Sequence, residues 1–204
     1  MPPDAVLPTL ILASASTVRA ELLRNAGLAI SVEPAAIDEA ELKSAFWAER
    51  RTAADCASAL AEAKAMRVAR RHPGSLVIGA DQLLVCDGAW FDKPDDRAAA
   101  RAQLLALRGK PHDLVSAVCI VRDGKLLWHF VDRSTLAMRN FSEAFLEQYL
   151  DAAGADILGS VGAYRLEGVG VQLFARVEGG HFAILGLPLL PLLDVLREHG
   201  IVAR

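Results

Sequence analysis

The chain has 204 residues, of which 53 % are hydrophobic, enough to bury the core of one full-sized domain or of two small lobes. Its 22 basic and 25 acidic residues leave a formal net charge of −3, which argues against a broad electrostatic surface for nucleic acid. The three cysteines form no C-x-x-C pair, so neither a disulfide framework nor a cysteine zinc site is predicted. Free thiols and the lack of a basic leader favour a soluble, cytoplasmic protein without a membrane span.

Strands and helices alternate in the first half of the chain. The apolar run at 9–13 predicts a buried strand. A helix follows, with Ser16 as its N-cap and Gly27 just beyond its end. Further strands are predicted at 30–34 and 75–80, the latter ending at Asp81 and Gln82. Residues 38–71 are rich in helix formers and predict a helix broken near Thr52, and residues 83–92 continue extended around an Asp87-Gly88 turn.

The second half mixes hairpins with single helices. Pro94 opens a helix over 95–107 that Gly109 ends, and strands at 114–122 and 125–137 flank an Asp-Gly turn. Ser142 caps a helix to about residue 152, a strand is predicted at 171–177, and Pro188 begins the last helix, to about residue 198. This order predicts an α/β, or mixed α+β, fold with a mixed sheet, in two lobes around a cleft.

Hydroxyl groups and an arginine gather at the predicted start of the first helix. Ser14, Ser16 and Arg19 lie where a helix offers unpaired N–H groups and a partial positive charge. Such a terminus binds phosphate oxygens. Ordinary capping with a surface arginine is the commoner use of the same residues, and spacing alone leaves both interpretations open.

Several carboxylates are candidates for metal binding or for activating water. Asp81 follows an apolar strand, where open α/β sheets place ligands. Glu33, Asp38 and Glu39 form a second group, and Mg²⁺ takes one or two carboxylates together with waters and substrate phosphate. A turn aspartate and a solvated loop are the alternative interpretations.

Two lysines, Lys64 and Lys93, are able to reach a phosphate as point charges, although most lysines lie on the surface. No H-x-x-x-H zinc pattern, G-x-x-x-x-G-K-[ST] loop, G-x-G-x-x-G loop or G-x-S-x-G elbow is present in the sequence. The common zinc hydrolase, Walker-type, Rossmann and serine hydrolase interpretations therefore fail.

Seven segments, in order along residues 10–193, resemble the Maf family of nucleotide pyrophosphatases, a branch of the ITPase-like superfamily. They are LILASASTVRAELL (10–23), DE (38–39), AEAKA (61–65), VIGADQ (77–82), DKP (92–94), VGAYRLEGVG (161–170) and GLPLLPLL (186–193). The resemblance implies a single domain over residues 1–204, with an elongated mixed sheet, flanking helices and two lobes around a deep nucleotide-binding cleft.

The resemblance also implies hydrolysis of the bond between the α- and β-phosphates of a nucleoside triphosphate, with a divalent cation (Mg²⁺, Mn²⁺ or Co²⁺) as cofactor. By position, Asp81 matches the proton acceptor, Lys64 and Lys93 match catalytic lysines, and Glu33 with Asp81 is expected to hold the metal. Ser14, Ser16 and Arg19 match the phosphate-binding segment. The nucleotide is the expected partner, with a homodimer suggested by the family and no role for nucleic acid or membrane.

Three positions bear on which nucleotide is used. Where the common dTTP/UTP form of the family has arginine, threonine and glutamine, this chain has Val18, Gln82 and Glu167. Gln82 and Glu167 are similar to the branch that hydrolyses 7-methyl-GTP, as a house-cleaning activity, and a carboxylate suits both the donor edge and the positive charge of that base. Val18 departs from the tryptophan typical of that branch. A dTTP/UTP pyrophosphatase and a nucleotide-binding regulator of cell division are the alternatives.

Overall fold

Within residues 8–203, the part of the chain that the computed structural model describes, seven strands form one mixed sheet. They are β1 (Leu10–Leu12), β2 (Ile30–Val32), β3 (Leu76–Cys86), β4 (Ala89–Phe91), β5 (Pro111–Arg122), β6 (Lys125–Met138) and β7 (Phe174–Glu178). The order across the sheet is β2-β1-β3-β5-β6-β7, and β4 pairs with β3. Strand β1 is parallel to β2 and β3, whereas β4 and β7 are antiparallel to their partners. The mixed α/β prediction is confirmed.

The helices connect these strands in the predicted alternation. They are α1 (Thr17–Asn25), α2 (Glu39–Ala48), α3 (Ala53–Ala69), α4 (Arg97–Leu107), α5 (Glu143–Ala153), α6 (His181–Ile184) and α7 (Leu189–Glu198). Short 3-10 helices occupy Gly154–Gly159, Val161–Ala163 and Val169–Leu173. Among the described residues, no helix combines the length and the apolar character that crossing a membrane requires.

Hydroxyl side chains cap the helices as the sequence predicts. Ser16, Thr52 and Ser142 each accept a hydrogen bond from the backbone N–H three residues later, at 3.3, 3.1 and 3.2 Å. The Asp55 carboxylate returns a bond to the backbone N–H of Thr52, which completes a capping box. Local capping chemistry therefore fixes where α1, α3 and α5 begin.

Strand β3 corrects the prediction that a strand ends at Asp81. It continues to Cys86 because its first residues pair with β1 and its last residues pair with β4. Asp81 consequently lies in the middle of the strand, with 5 % of its surface exposed. Two smaller shifts occur: α4 is capped by Asp96, and β7 begins at Phe174 because the preceding residues form a 3-10 helix.

The chain divides into two compact units within the described residues. The first contains the chain up to Gln82, Ser116–Asp132 and the segment from His181 onwards. The second contains Leu83–Val115 and Arg133–Gly180. The core of the first unit joins apolar residues of β1, β3, β5, α1 and α7: Leu10, Leu12, Leu23, Leu76, Ile78, Val118, Ile120, Leu192 and Leu196 are among them. The cleft stays a prediction.

Helix α3 packs very closely against β3 at Gly79. A Cβ atom at Gly79 would lie 2.0 Å from the carbonyl oxygen of Ala61 and 2.9 Å from the Cβ of Ala65. Any side chain larger than hydrogen would therefore push the helix away from the strand. Lys64 belongs to the same helix and Asp81 to the same strand, so this contact also sets the distance between two charged side chains.

We expect Gly79→Ala to lower the free energy of unfolding by about 1–3 kcal/mol, because the new methyl group overlaps the α3 backbone. The measurement is urea denaturation followed by circular dichroism. Gly159→Ala is the matched control, since a Cβ atom there would meet nothing within 4 Å. Equal stability of the two variants would contradict the close packing.

A buried histidine lies in the second unit. Nε2 of His112 is 2.8 Å from the hydroxyl oxygen of Tyr164, and among the described residues Nδ1 has no hydrogen-bond partner. The ring contacts Tyr164 and Phe174, with centroids 5.6 and 6.0 Å away. Burial lowers the pKa of His112 to about 4, because the charged imidazolium would lose its hydration. The histidine is therefore neutral in the folded protein at neutral pH.

This histidine makes stability depend on pH. Between pH 6.5 and about 4 the unfolded chain binds a proton at His112 that the folded chain does not, so the free energy of unfolding falls as pH falls. The loss at His112 is on the order of 3 kcal/mol by pH 4. Urea denaturation at pH 7 and pH 4.5 should show a smaller pH effect for His112→Phe than for the wild type. His199→Gln changes an exposed histidine and should retain the wild-type slope.

Candidate functional site

The Ser-rich turn after β1 leads directly into α1. Ser14 is buried, and its hydroxyl oxygen accepts a hydrogen bond from the backbone N–H of Ser16 at 3.2 Å. Ser16 then caps α1 by accepting from the backbone N–H of Arg19. These hydrogen bonds bring the three residues together, with Ser16 as the N-cap, and their expected binding of phosphate stays a prediction.

Main-chain carbonyl groups hold the Arg19 side chain. Nε donates to the carbonyl of Gly186 at 2.7 Å, and Nη1 donates to the carbonyl of Ala80 at 2.8 Å and to the Ser14 hydroxyl at 3.2 Å. Gly186 permits this approach, since a Cβ atom there would lie 3.3 Å from Nε. Nη2 donates no recorded hydrogen bond among the described residues, so it remains able to bind an anion.

Burial and charge act on Arg19 in opposite directions. Only 9 % of its surface is exposed, and the loss of hydration lowers the pKa of the guanidinium. The negative charges of Asp81 and Glu39 partly offset this lowering of the pKa. Arginine stays protonated at physiological pH, so Arg19 is a buried cation close to two carboxylates.

Lys64 joins the same cluster from α3. Its ammonium nitrogen lies 2.5 Å from Oδ1 of Asp81 and 2.8 Å from Oε1 of Glu39. Both the lysine and the aspartate are buried, with 8 % and 5 % of their surfaces exposed, whereas Glu39 is half-buried. Oδ2 of Asp81 has no recorded hydrogen-bond donor among the described residues. The aspartate is therefore oriented by one oxygen and can accept a proton or bind a cation with the other.

Glu33 contacts other partners than Lys64, and its expected role in holding a metal with Asp81 stays a prediction. Its Oε1 lies 2.5 Å from Nη2 of Arg71, and its Oε2 lies 2.5 Å from Nε2 of His72. The backbone N–H of Glu33 extends the pairing with β1 by donating to Leu12, so the residue stays beside the end of α3. Glu39 is the carboxylate that accompanies Asp81 instead.

Gln82 is fixed by a network inside the first unit. Nε2 of its amide donates to the hydroxyl oxygen of Ser116 at 2.9 Å and to the carbonyl oxygens of Ala183 and Ile184, both at 3.1 Å. The Ser116 hydroxyl in turn donates to the carbonyl of Ala183 at 2.8 Å. The amide nitrogen is thus saturated within the protein, and Oε1 is the polar atom of Gln82 that remains available.

The remaining predicted site residues lie outside these contacts. Val18 is half-buried on α1. Lys93 is exposed in the second unit, between β4 and α4, and its catalytic role stays a prediction. Glu167, also in the second unit, forms an ion pair with Arg165, with Oε1 3.0 Å from Nε. With Asp156 and Gly168–Gly170 these two residues line a cavity of about 280 Å³.

Metal binding by Asp81 stays a prediction, and the structure adds Glu39 as a carboxylate that shares Lys64 with it. Among the described residues, no group of three or more histidine, cysteine, aspartate or glutamate side chains forms a metal cage. Asp81 and Glu39 converge on one point, the ammonium nitrogen of Lys64. Two carboxylates are enough for Mg²⁺ when water and substrate phosphate complete its coordination.

Sequence reasoning names Glu39 among the candidate metal carboxylates, with the first turn of a helix as the alternative interpretation. The structure places Glu39 in the first turn of α2, with its carboxylate at Lys64. Sequence reasoning missed Ser116. Ser116 carries no motif signal, because a serine inside an apolar strand has many structural roles.

Comparison with known proteins supports the family resemblance. The chain is 60 % identical over 190 residues to a protein named nucleoside triphosphate pyrophosphatase from Paramagnetospirillum magneticum, covering 93 % of this chain and 98 % of the relative. It is 55 % identical over 190 residues to a protein of the same name from Granulibacter bethesdensis, covering 93 % and 96 %. A relative named 7-methyl-GTP pyrophosphatase, from Rhizobium meliloti, is 47 % identical over 195 residues, covering 96 % and 98 %.

The family model described as Maf-like protein matches residues 9–199. That range contains the Ser-rich turn, the Lys64 cluster and the cavity that includes Glu167. With relatives up to 60 % identical over most of both chains, the chain belongs to the family of Maf-like proteins.

Proposed function

We propose that this protein is a nucleoside triphosphate pyrophosphatase whose preferred substrate is 7-methyl-GTP, which it converts to the monophosphate and pyrophosphate. The class of reaction is inferred from two relatives that are named nucleoside triphosphate pyrophosphatase. The observation that carries the proposal is the buried cluster in which Lys64 lies between Asp81 and Glu39, close to Arg19. Buried charges of both signs are costly, and they concentrate at catalytic sites.

The cluster provides the groups that hydrolysis of a phosphoanhydride requires. Water attacks the α-phosphorus, the bond from that phosphorus to the bridging oxygen breaks, and pyrophosphate leaves with the electron pair. Asp81 accepts the proton of the attacking water through Oδ2, while Lys64 holds Oδ1 at 2.5 Å. Nη2 of Arg19 binds a phosphate oxygen and stabilises the negative charge that develops in the transition state.

A divalent cation completes the charge balance. The cluster has two cations, Arg19 and Lys64, and two carboxylates, Asp81 and Glu39, so it has no surplus positive charge for a triphosphate. Asp81 and Glu39 are the residues that would hold Mg²⁺, Mn²⁺ or Co²⁺. When bound, the ion neutralises phosphate charge and polarises the phosphoryl oxygen.

Two residues and one relative support 7-methylguanine as the base. Gln82 offers a carbonyl oxygen and Glu167 offers a carboxylate, and an acceptor of either kind suits the N1–H and amino donors of guanine. A carboxylate also attracts the positive charge of a 7-methylated base. The relative named 7-methyl-GTP pyrophosphatase shares 47 % of aligned residues with this chain. A role for the protein in clearing modified nucleotides from the pool follows from this preference.

A panel of nucleotides tests the substrate. Purified protein with Mg²⁺ or Mn²⁺ is incubated with 7-methyl-GTP, GTP, dTTP and UTP, and pyrophosphate release is measured. We expect kcat/KM to be highest for 7-methyl-GTP. Glu167→Gln should reduce the preference over GTP by about tenfold, because the neutral amide loses the attraction of the carboxylate for the positive charge of the 7-methylated base, whereas the donor edge is the same in both bases. Hydrolysis of dTTP and UTP alone would disprove 7-methyl-GTP as the substrate. Binding of nucleotides without turnover would favour a nucleotide-binding regulator.

A second experiment tests the role of Asp81. Asp81→Asn should lower kcat by about 10²-fold or more, because an amide cannot accept the proton of the attacking water. Calorimetric titration with a non-hydrolysable triphosphate should still detect binding. Asp194→Asn is the matched control: it makes the same change at an exposed carboxylate that pairs with Arg197. If Asp81→Asn keeps the activity of this control, Asp81 is not the base.

A further inference from the structure

The buried serine on β5 has no role in the chemistry described so far. Ser116 has 1 % of its surface exposed and lies within a strand of apolar side chains. It donates its single proton to the carbonyl of Ala183, so its oxygen faces Gln82 as an acceptor. Ser116 therefore makes the segment around Ala183 and the Gln82 amide parts of one hydrogen-bond network.

This network determines the orientation of the Gln82 amide group. Nε2 faces three acceptors: the Ser116 hydroxyl and the carbonyl groups of Ala183 and Ile184. A flipped amide would direct Oε1 at two carbonyl oxygens, which repel it and leave them without a donor. Ser116 can donate its proton to a flipped amide only by giving up its bond to Ala183, and the Ala183 carbonyl would then lose both of its side-chain donors.

The free end of the amide lies beside Arg19. A Cβ atom built on Gly186 would be 3.7 Å from Oε1 of Gln82 and 3.4 Å from Nη2 of Arg19. Oε1 and Nη2 are thus both close to Gly186, and neither has a recorded hydrogen-bond partner among the described residues. The protein presents one unpaired acceptor and one unpaired donor group in the same place.

We propose that Ser116 is a positioning residue for substrate selection, which orients the Gln82 amide so that Gln82 presents only a hydrogen-bond acceptor to the nucleobase. This rests on the proposed function, in which Gln82 contacts the base. An oriented acceptor favours a base edge with donors, as guanine has at N1–H and its amino group. A freely rotating amide would accept donor and acceptor edges alike.

The test compares two buried serines. Ser116→Ala removes one acceptor of the network, whereas Ser134→Ala makes the same change at a serine of equal burial whose hydroxyl has no hydrogen-bond partner in the described residues. We expect Ser116→Ala to raise KM for 7-methyl-GTP by about threefold to tenfold, with kcat changed less than about twofold. Ser134→Ala should leave both constants at the wild-type values.

A second readout reports on the amide without substrate. The side-chain NH₂ signals of Gln82 are assigned in a nitrogen-15 NMR spectrum by their loss in Gln82→Met. In the wild type and in Ser134→Ala these protons should exchange slowly with water, and in Ser116→Ala several times faster. Unchanged exchange and unchanged KM in Ser116→Ala would overturn the positioning role. Equal changes of KM and of the exchange rate in Ser116→Ala and Ser134→Ala would also overturn the positioning role.

The two proposals fail in different ways. If the wild type hydrolyses UTP and not 7-methyl-GTP, the proposed substrate is wrong, and KM for UTP is then compared between the two serine variants. Unchanged KM in Ser116→Ala on the substrate that the enzyme does use overturns the role of Ser116. If 7-methyl-GTP is hydrolysed with the same KM by the wild type and Ser116→Ala, the substrate is correct and only the inference about Ser116 falls.

Discussion

The contact between Lys64 and Asp81 is the interaction on which the site depends. A buried lysine and a buried aspartate each lose hydration, so each needs the other at hydrogen-bond distance. That distance exists only because Gly79 and the alanines of α3 let helix and strand backbones approach. Small residues at 61, 65 and 79 therefore set the geometry of the pair formed by Lys64 and Asp81. They hold the aspartate in the middle of a strand, where its backbone cannot move independently of the sheet.

Arg19 is also a buried charge that its surroundings hold in place, but its partners are different. Its guanidinium is held by two carbonyl groups and one hydroxyl, none of which carries a formal charge. The arginine is thereby fixed without an ion-pair partner that a phosphate would have to displace. Burial lowers the pKa of Arg19, and the negative charges of Asp81 and Glu39 offset part of this lowering without a hydrogen bond to the guanidinium. A rigid cation with two free N–H groups suits the binding of an anionic group, as the proposed function requires.

Local signals in the sequence were enough for the helices and most strands. Ser16 and Thr52 mark their helices because capping involves only three or four neighbouring residues. The sequence predicts a strand end at Asp81 because a lone charge in an apolar run suggests a boundary. This prediction is wrong because the buried partner of Asp81, Lys64, lies 17 residues away in the sequence. Glu33 and Glu39 look equivalent in sequence. Only the path of the chain brings Arg71 and His72 to the first and Lys64 to the second.

Gln82 and Glu167 both present a hydrogen-bond acceptor, but for different reasons. A carboxylate accepts hydrogen bonds by its nature, and Arg165 occupies one oxygen of Glu167, which leaves the other as an acceptor. A side-chain amide has both donors and an acceptor. Gln82 offers only its acceptor because Ser116 and two carbonyl groups accept the hydrogen bonds of its NH₂ group. An acceptor without a competing donor disfavours a base edge that itself offers acceptors, since each mismatch leaves lone pairs facing each other. Under the proposed function, selection of the base depends on this hydrogen-bond polarity more than on stacking, because Val18 has no aromatic ring to stack on a base.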